Sequence, residues 1–282
     1  MLRHPSIRTS SAAAALLCVV ALAPTVTAPA AAQEPTTREM NLLGWQEFAE
    51  LVPGRIETVL VPTGTLEAHG VAPNGSDNLA PEAMARALAS RLNALVAPTL
   101  NYGVTGDLDA FPGTFRIGEE AYEAFMEDLL SGLARNGFRN IIVLNGHGGP
   151  QTAILSRVAG KVGRDHQVRT LVTNWWTLTS DITFDVFGED GGHAGNNETA
   201  YMQAVTSDHV HPERYDRDMA SAGIAGATPY PFPSSIILYQ AGQGYPTFDE
   251  EQAQTYFERV NERMGDVIEE TIRRWDLAGL FR

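Results

Sequence analysis

Two apolar runs limit the possible folds of this chain more than any other feature. Thr58 to Pro62 (TVLVP) and Ile141 to Leu144 (IIVL) are hydrophobic almost without interruption, where a half-exposed strand would alternate with polar residues. A strand apolar at every position is covered on both faces, and such strands separated by helices build parallel sheets. Further short strands are expected at Leu95–Leu100 and over VRTLVTNWW, which ends in Trp175 and Trp176. Between them lie helical patterns: Asn41–Leu51, a helix opening at Pro81, Glu119–Asn136 stopped by Gly137, Gln151–Val162, and a long closing helix from Asp249 to Trp275. The expected class is α/β, a three-layer α/β/α sandwich with a mainly parallel central sheet.

Both apolar runs end in turns rich in glycine and ionisable groups. After the first come Glu67 and His69, two residues apart, and then Asp77 beyond a loop holding Gly70, Pro73 and Gly75. Side chains two apart on an extended segment share a face, and the glycines let the loop fold a carboxylate back toward them. One imidazole with two carboxylates suits Zn²⁺, Mn²⁺ or Fe²⁺ rather than Ca²⁺. Alternatively, Glu67 and His69 form a surface ion pair and Asp77 caps the next helix. After the second run, His147 stands in Asn-Gly-His-Gly-Gly, where little could pack around it as a core residue; the bland alternative is an exposed loop histidine. GGHAGNNETAYMQAV then puts His193 in a glycine-rich turn and Glu198 in the first turn of a helix, where a helix-capping role would also account for them.

These groups all follow strand ends, the place where open α/β sheets bind ligands. A mixed oxygen and nitrogen ligand set of this size suits two metals sharing one carboxylate, chemistry that activates water and polarises a carbonyl. Hydrolysis of an amide-like C–N bond is the reaction class that follows. His166, His209 and His211 lie in polar, turn-like surroundings and are expected on the solvated surface.

Residues 1–32 stand apart from this pattern. Arg3 and Arg8 precede the apolar run AAAALLCVVALA, and small residues follow up to Ala32–Gln33, the arrangement of a secretory signal peptide. The domain is then 33–282, periplasmic or secreted, with no membrane attachment after cleavage. Cleavage would remove Cys18, the only cysteine, and with it any disulfide or thiolate site. It would also remove Arg3 and Arg8 from the 20 Lys and Arg residues, leaving 18 against 34 Asp and Glu, a net charge of −16. A chain this acidic is a poor nucleic-acid binder.

PTGTLEAHG…D, YG…FPGT, NGHGG and HAGxxET occur in that order and spacing from about Leu42 to Val210, and together they resemble the creatininase (creatinine amidohydrolase) family. The resemblance implies a single α/β/α domain with a dinuclear Zn, Mn or Fe-type centre, cleaving a cyclic amide or amide in a small molecule, commonly as a homohexamer. By motif, Glu67, His69, Asp77 and His147 correspond to metal ligands, with Asp77 bridging. Glu198 corresponds to a further ligand or an acid–base group, and His193 to a residue that contacts or protonates the substrate. The chain also departs from the family. Val71 and Ala72 replace Pro-His in a shorter loop, and Leu108 replaces a histidine before FPGT. Gly149 stands where creatinine-cleaving members carry a glutamate, which argues against creatinine as substrate. A metallopeptidase or deformylase on the same site, or a metal-containing binding protein without turnover, are the alternatives. Trp175, Trp176, Tyr102 and Phe111 are candidate cavity walls or plain core aromatics.

Overall fold

The computed structural model describes Met1 and residues 34–217, 220–222, 226–227, 229–231, 236–238 and 244–281. The signal-peptide assignment to 1–32 lies, but for Met1, outside these residues. Four parallel strands form the main sheet: β1 (Thr58–Thr63), β2 (Ala94–Val96), β3 (Asn140–Asn145) and β4 (Arg169–Asn174), in the order β2-β1-β3-β4. β1 and β3 pair along their full length, from Thr58 opposite Asn140 to Thr63 opposite Asn145.

The apolar runs divide their side chains between the two faces. From β1, Val59 and Val61 enter one core and Leu60 the other; from β3, Ile141 and Val143 go one way and Ile142 and Leu144 the other. That period-two alternation is why every position had to be apolar. The first face is covered by α1 (Trp45–Leu51), α3 (Glu119–Arg135) and α4 (Gly149–His166), through residues such as Leu51, Met126 and Leu155. α2 (Ser76–Leu88), α7 (Asn196–Thr206) and α8 (Glu250–Ala278) cover the second through Met84, Tyr201 and Met264. The result is the expected three-layer sandwich.

Connectivity then selects where a ligand can bind. From β1 the chain crosses by α2 to β2 on one side, and later crosses by α3 to β3 on the other. The β1–β3 border is therefore the topological switch point, and the crevice beyond its carboxyl ends is the ligand site of an open α/β sheet.

Three local expectations needed correction. The helix expected to open at Pro81 begins at Ser76, so Pro81 lies inside α2. Asn41–Leu51 is a short 3₁₀ turn (Met40–Leu42) followed by α1 rather than one helix. Trp175 and Trp176 leave β4 and start a one-turn helix, α5 (Trp175–Leu178), which α6 (Ser180–Phe187) follows. A second, small sheet pairs β5 (Gly192–His193) with β7 (Ile236–Leu238), and β7 with β6 (Ala220–Ala222).

Candidate metal centre

Three chain turns meet at the switch point. The segment after β1 carries Glu67 and His69, each 1% exposed, and reaches Asp77 in the first turn of α2. The turn after β3 carries His147, and the β5–α7 turn carries His193 and Glu198. Burial of Glu67, His69 and His147 removes both the surface ion pair and the exposed loop histidine as explanations.

The local chemistry holds each piece in place. Asn145 accepts the backbone N–H of His147 and donates to its carbonyl, locking the Asn-Gly-His turn. Gln151 accepts from Val104 N–H and donates to Asn145 Oδ1, tying α4 to the loop after β2. Thr114 of FPGT accepts from the N–H of Ala68, and Phe115 N–H donates to the Leu66 carbonyl, so that loop braces the Glu67–His69 segment from outside. Gly64 and Gly146 let α2 approach closely, since a Cβ on either would lie 2.0 or 1.9 Å from the backbone oxygen of Asp77. That oxygen has no intrahelical N–H to receive because residue 81 is proline. The Asp77 carboxylate is thus set between the ends of β1 and β3.

Asp77 divides its two oxygens between two clusters. Oδ2 lies 2.7 Å from His147 Nδ1, which also stands 3.1 Å from Glu67 Oε1. Oδ1 lies 3.0 Å from His69 Nε2, which is 3.5 Å from Glu198 Oε2. His193 Nδ1 is 3.5 Å from Glu67 Oε1, and its ring packs on His69 with centroids 4.3 Å apart.

Each of these imidazoles spends its other nitrogen on a backbone carbonyl: His147 Nε2 on Val104, His69 Nδ1 on Glu67 and His193 Nε2 on Ala68. In the neutral rings those nitrogens carry the hydrogens, so the nitrogens facing the carboxylates carry lone pairs. Lone pairs and carboxylate oxygens repel unless a cation lies among them. Two further buried atoms ask for the same thing: among the described residues Glu67 Oε2 has no hydrogen-bond partner, and His69 Nε2, although 3.0 Å from Asp77, is out of hydrogen-bond alignment. Glu67, Asp77 and His147, and separately His69, Asp77 and Glu198, each place ligand atoms within 4.8 Å of one another. Without metal, protons take the cation's role. Burial is the largest single influence on His147 and opposes its charge, yet Asp77 and Glu67 together push its pKa up to about 10. His69 is raised in the same way against burial, by Asp77 and Glu198, while burial opposes but His69 and His147 together hold Asp77 well below the usual carboxylate range.

The clusters open on a cavity of roughly 280 Å³ walled by Leu108, Trp176, Asn197 and several glycines. Of the aromatics considered as walls, Trp176 lines it, Trp175 is buried in the core and Tyr102 is 52% exposed. Gly106 and Leu108, in the loop leading to FPGT, also line it. His209 is exposed, and His166 and His211 are half-buried away from the centre. Asn145, Gln151, Thr114 and Asn197 carry structural or lining roles that motif spacing did not single out, although all except Gln151 lie inside the quoted motifs.

A family model described as creatininase, creatinine amidohydrolase, matches residues 41–268. Creatinine amidohydrolase of Pseudomonas putida is 29% identical over 195 residues, covering 61% of this chain and 73% of that protein. The mycofactocin precursor peptide peptidase of Mycobacterium ulcerans is 29% identical over 204 residues, 68% of this chain and 73% of its own length. A solved structure of manganese creatininase superposes with a TM-score of 0.67 at 25% identity, covering 83% of this chain and 98% of that one.

Proposed function

Because this chain belongs to the creatininase family, in which it is a metal-dependent hydrolase acting on C–N bonds, we infer that it is an exported amidohydrolase of a small amide or cyclic amide, using two divalent ions of the Zn, Mn or Fe type. The carrying observation is the shared Asp77, whose oxygens lie 3.0 and 2.7 Å from histidines of two different turns. Glu67, Asp77 and His147 would hold one ion, and His69, Asp77 and Glu198 the other. Bound there, the ions would acidify a water and polarise the substrate carbonyl.

The chain's own groups supply the rest. Val104, Glu67 and Ala68 carbonyls fix the ring orientations, so that His193 keeps Nε2 anchored and presents Nδ1 as the atom that accepts a proton and delivers it to the leaving nitrogen. Glu198 is held by the Ala194 N–H at 2.7 Å, an arrangement that suits a fixed ligand better than a mobile acid. Gly148 and Gly149 bring the amino end of the 18-residue α4 to the cavity, where the positive end of the helix dipole favours developing negative charge. Trp176 and Leu108 keep part of the wall apolar.

Gly149 offers no carboxylate and meets nothing within 4 Å of a Cβ position; creatinine itself is therefore not the substrate expected. Export rests on the leader sequence, and a homohexamer on the family. Two measurements test the reading. Elemental analysis of the mature chain should give about two ions, falling in Glu67→Gln and His147→Ala. A panel of lactams, acyl amides and short peptides should show metal-dependent amine or ammonia release. Unchanged metal content in both variants removes the centre; full metal with no product from any substrate favours a binding protein; release from peptides alone favours a peptidase.

A further inference from the structure

Asn197 sits beside Glu198 in the first turn of α7, is 4% exposed, and lines the cavity. Its side-chain orientation is decided by a neighbour. The backbone N–H of Gly192 donates to Asn197 Oδ1 at 3.0 Å, and an N–H can be met only by the amide oxygen. The loop is moulded to that contact, since a Cβ on Gly191 would stand 2.3 Å from Asn197 Cγ. The Nδ2 hydrogens must therefore face another way, and among the described residues Nδ2 donates to nothing. A donor that no protein group meets, on a residue lining the cavity, is left to water or to a ligand there. Elsewhere in the wall, Leu108 and Trp176 are mainly apolar, and the carboxylates and imidazoles belong to the cation centre.

We propose that Asn197 is a specificity-determining residue, its Nδ2 donating to a hydrogen-bond acceptor on the substrate that is separate from the carbonyl under attack. The substrate class is then an amide or lactam carrying a second carbonyl-type oxygen, in preference to a simple aliphatic amide. This rests on the amidohydrolase reading. Sites built to donate to a substrate discriminate strongly against an analogue lacking the acceptor, because the donor is then stranded.

Succinimide and 2-pyrrolidinone make a suitable probe pair: the rings match, and only the first has a second carbonyl. Their binding to the metal-loaded mature chain is measured by ligand-observed NMR, without turnover. Wild type should favour succinimide by about tenfold or more, the worth of one buried hydrogen bond. Asn197→Asp keeps an oxygen for Gly192 but loses the donor, and should abolish the preference with metal content and melting temperature unchanged. Equal binding of both probes to wild type, no binding of either, or a preference retained in Asn197→Asp overturns the proposal. If the variant does not fold, equal binding of both probes to wild type still overturns the proposal. Should some other amide be hydrolysed while Asn197→Asp cleaves it with unchanged KM, the donor role fails and the hydrolase stands. Should no amide be hydrolysed while the preference holds, the hydrolase reading fails and the donor role stands.

Discussion

Loading the centre with metal should expel protons. In the metal-free chain, among the described residues, the groups that meet the His147 ring nitrogens are all acceptors: Asp77 Oδ2 at 2.7 Å, Glu67 Oε1 at 3.1 Å and the Val104 carbonyl at 3.0 Å. Against the opposing effect of burial, these carboxylates push its pKa up to about 10, and His69 is raised well above its usual value by Asp77 and Glu198. The His147 ring is therefore cationic at pH 8 without metal. A ligating imidazole must instead offer a lone pair. Filling both sets of ligands should release at least the His147 proton, and the affinity of the ion at His147 should climb about tenfold per pH unit between pH 7 and 8.5, the slope for one displaced proton. Zn²⁺ is titrated into the chelator-stripped chain in two buffers of different ionisation enthalpy, whose difference in apparent binding enthalpy counts the protons. Metal uptake at pH 8 with no proton release, or an affinity flat across that range, would refute the assignment of His147 as a ligand.

The same groups set the pH range of the stripped chain. The His147 pKa is raised above its ordinary 6.5, so its contribution to stability is complete below that value and is lost as pH rises through about 10. Denaturant melts of the stripped chain at pH 7, 9 and 10.5 should show that loss, with the metal-loaded chain less affected; a stripped chain equally stable at all three contradicts it. Gly146→Ala would put a Cβ 1.9 Å from the Asp77 backbone oxygen and 3.0 Å from Pro81 Cδ, which should destabilise by about 1–3 kcal/mol or more and lower metal content together. Full stability and full metal in that variant would show that α2 is not held by close approach. Asp249→Ala removes the side chain that accepts from Gln252 N–H at the start of α8, and a loss of about 1 kcal/mol in chemical denaturation is expected, with metal content untouched.

Much of this protein was legible before any coordinates. The runs at β1 and β3 announced a sheet covered on both faces, because only a strand with cores on either side has a use for Val59, Leu60 and Val61 in succession. The ionisable residues could be named because they follow strand ends and stand among glycines, a local pattern with few structural uses. Pro81 shows where local signals fail. Proline favours the first position of a helix, yet α2 begins at Ser76, since the carbonyl that Pro81 leaves without an N–H is the one lodged against Gly64 and Gly146. That compensation comes from residues distant in sequence. In the same way, motif spacing put Glu67, His69, Asp77, His147 and Glu198 near one another but could not show which oxygen of Asp77 faces which histidine, which nitrogen of each ring is held by a carbonyl, or that Gly192 turns the Asn197 amide. The chain's own order of residues determined which groups are available and at which strand ends. The crossing of strands at the β1–β3 border decided what they face, because hydrogen-bond direction depends on partners that only meet once the sheet has formed.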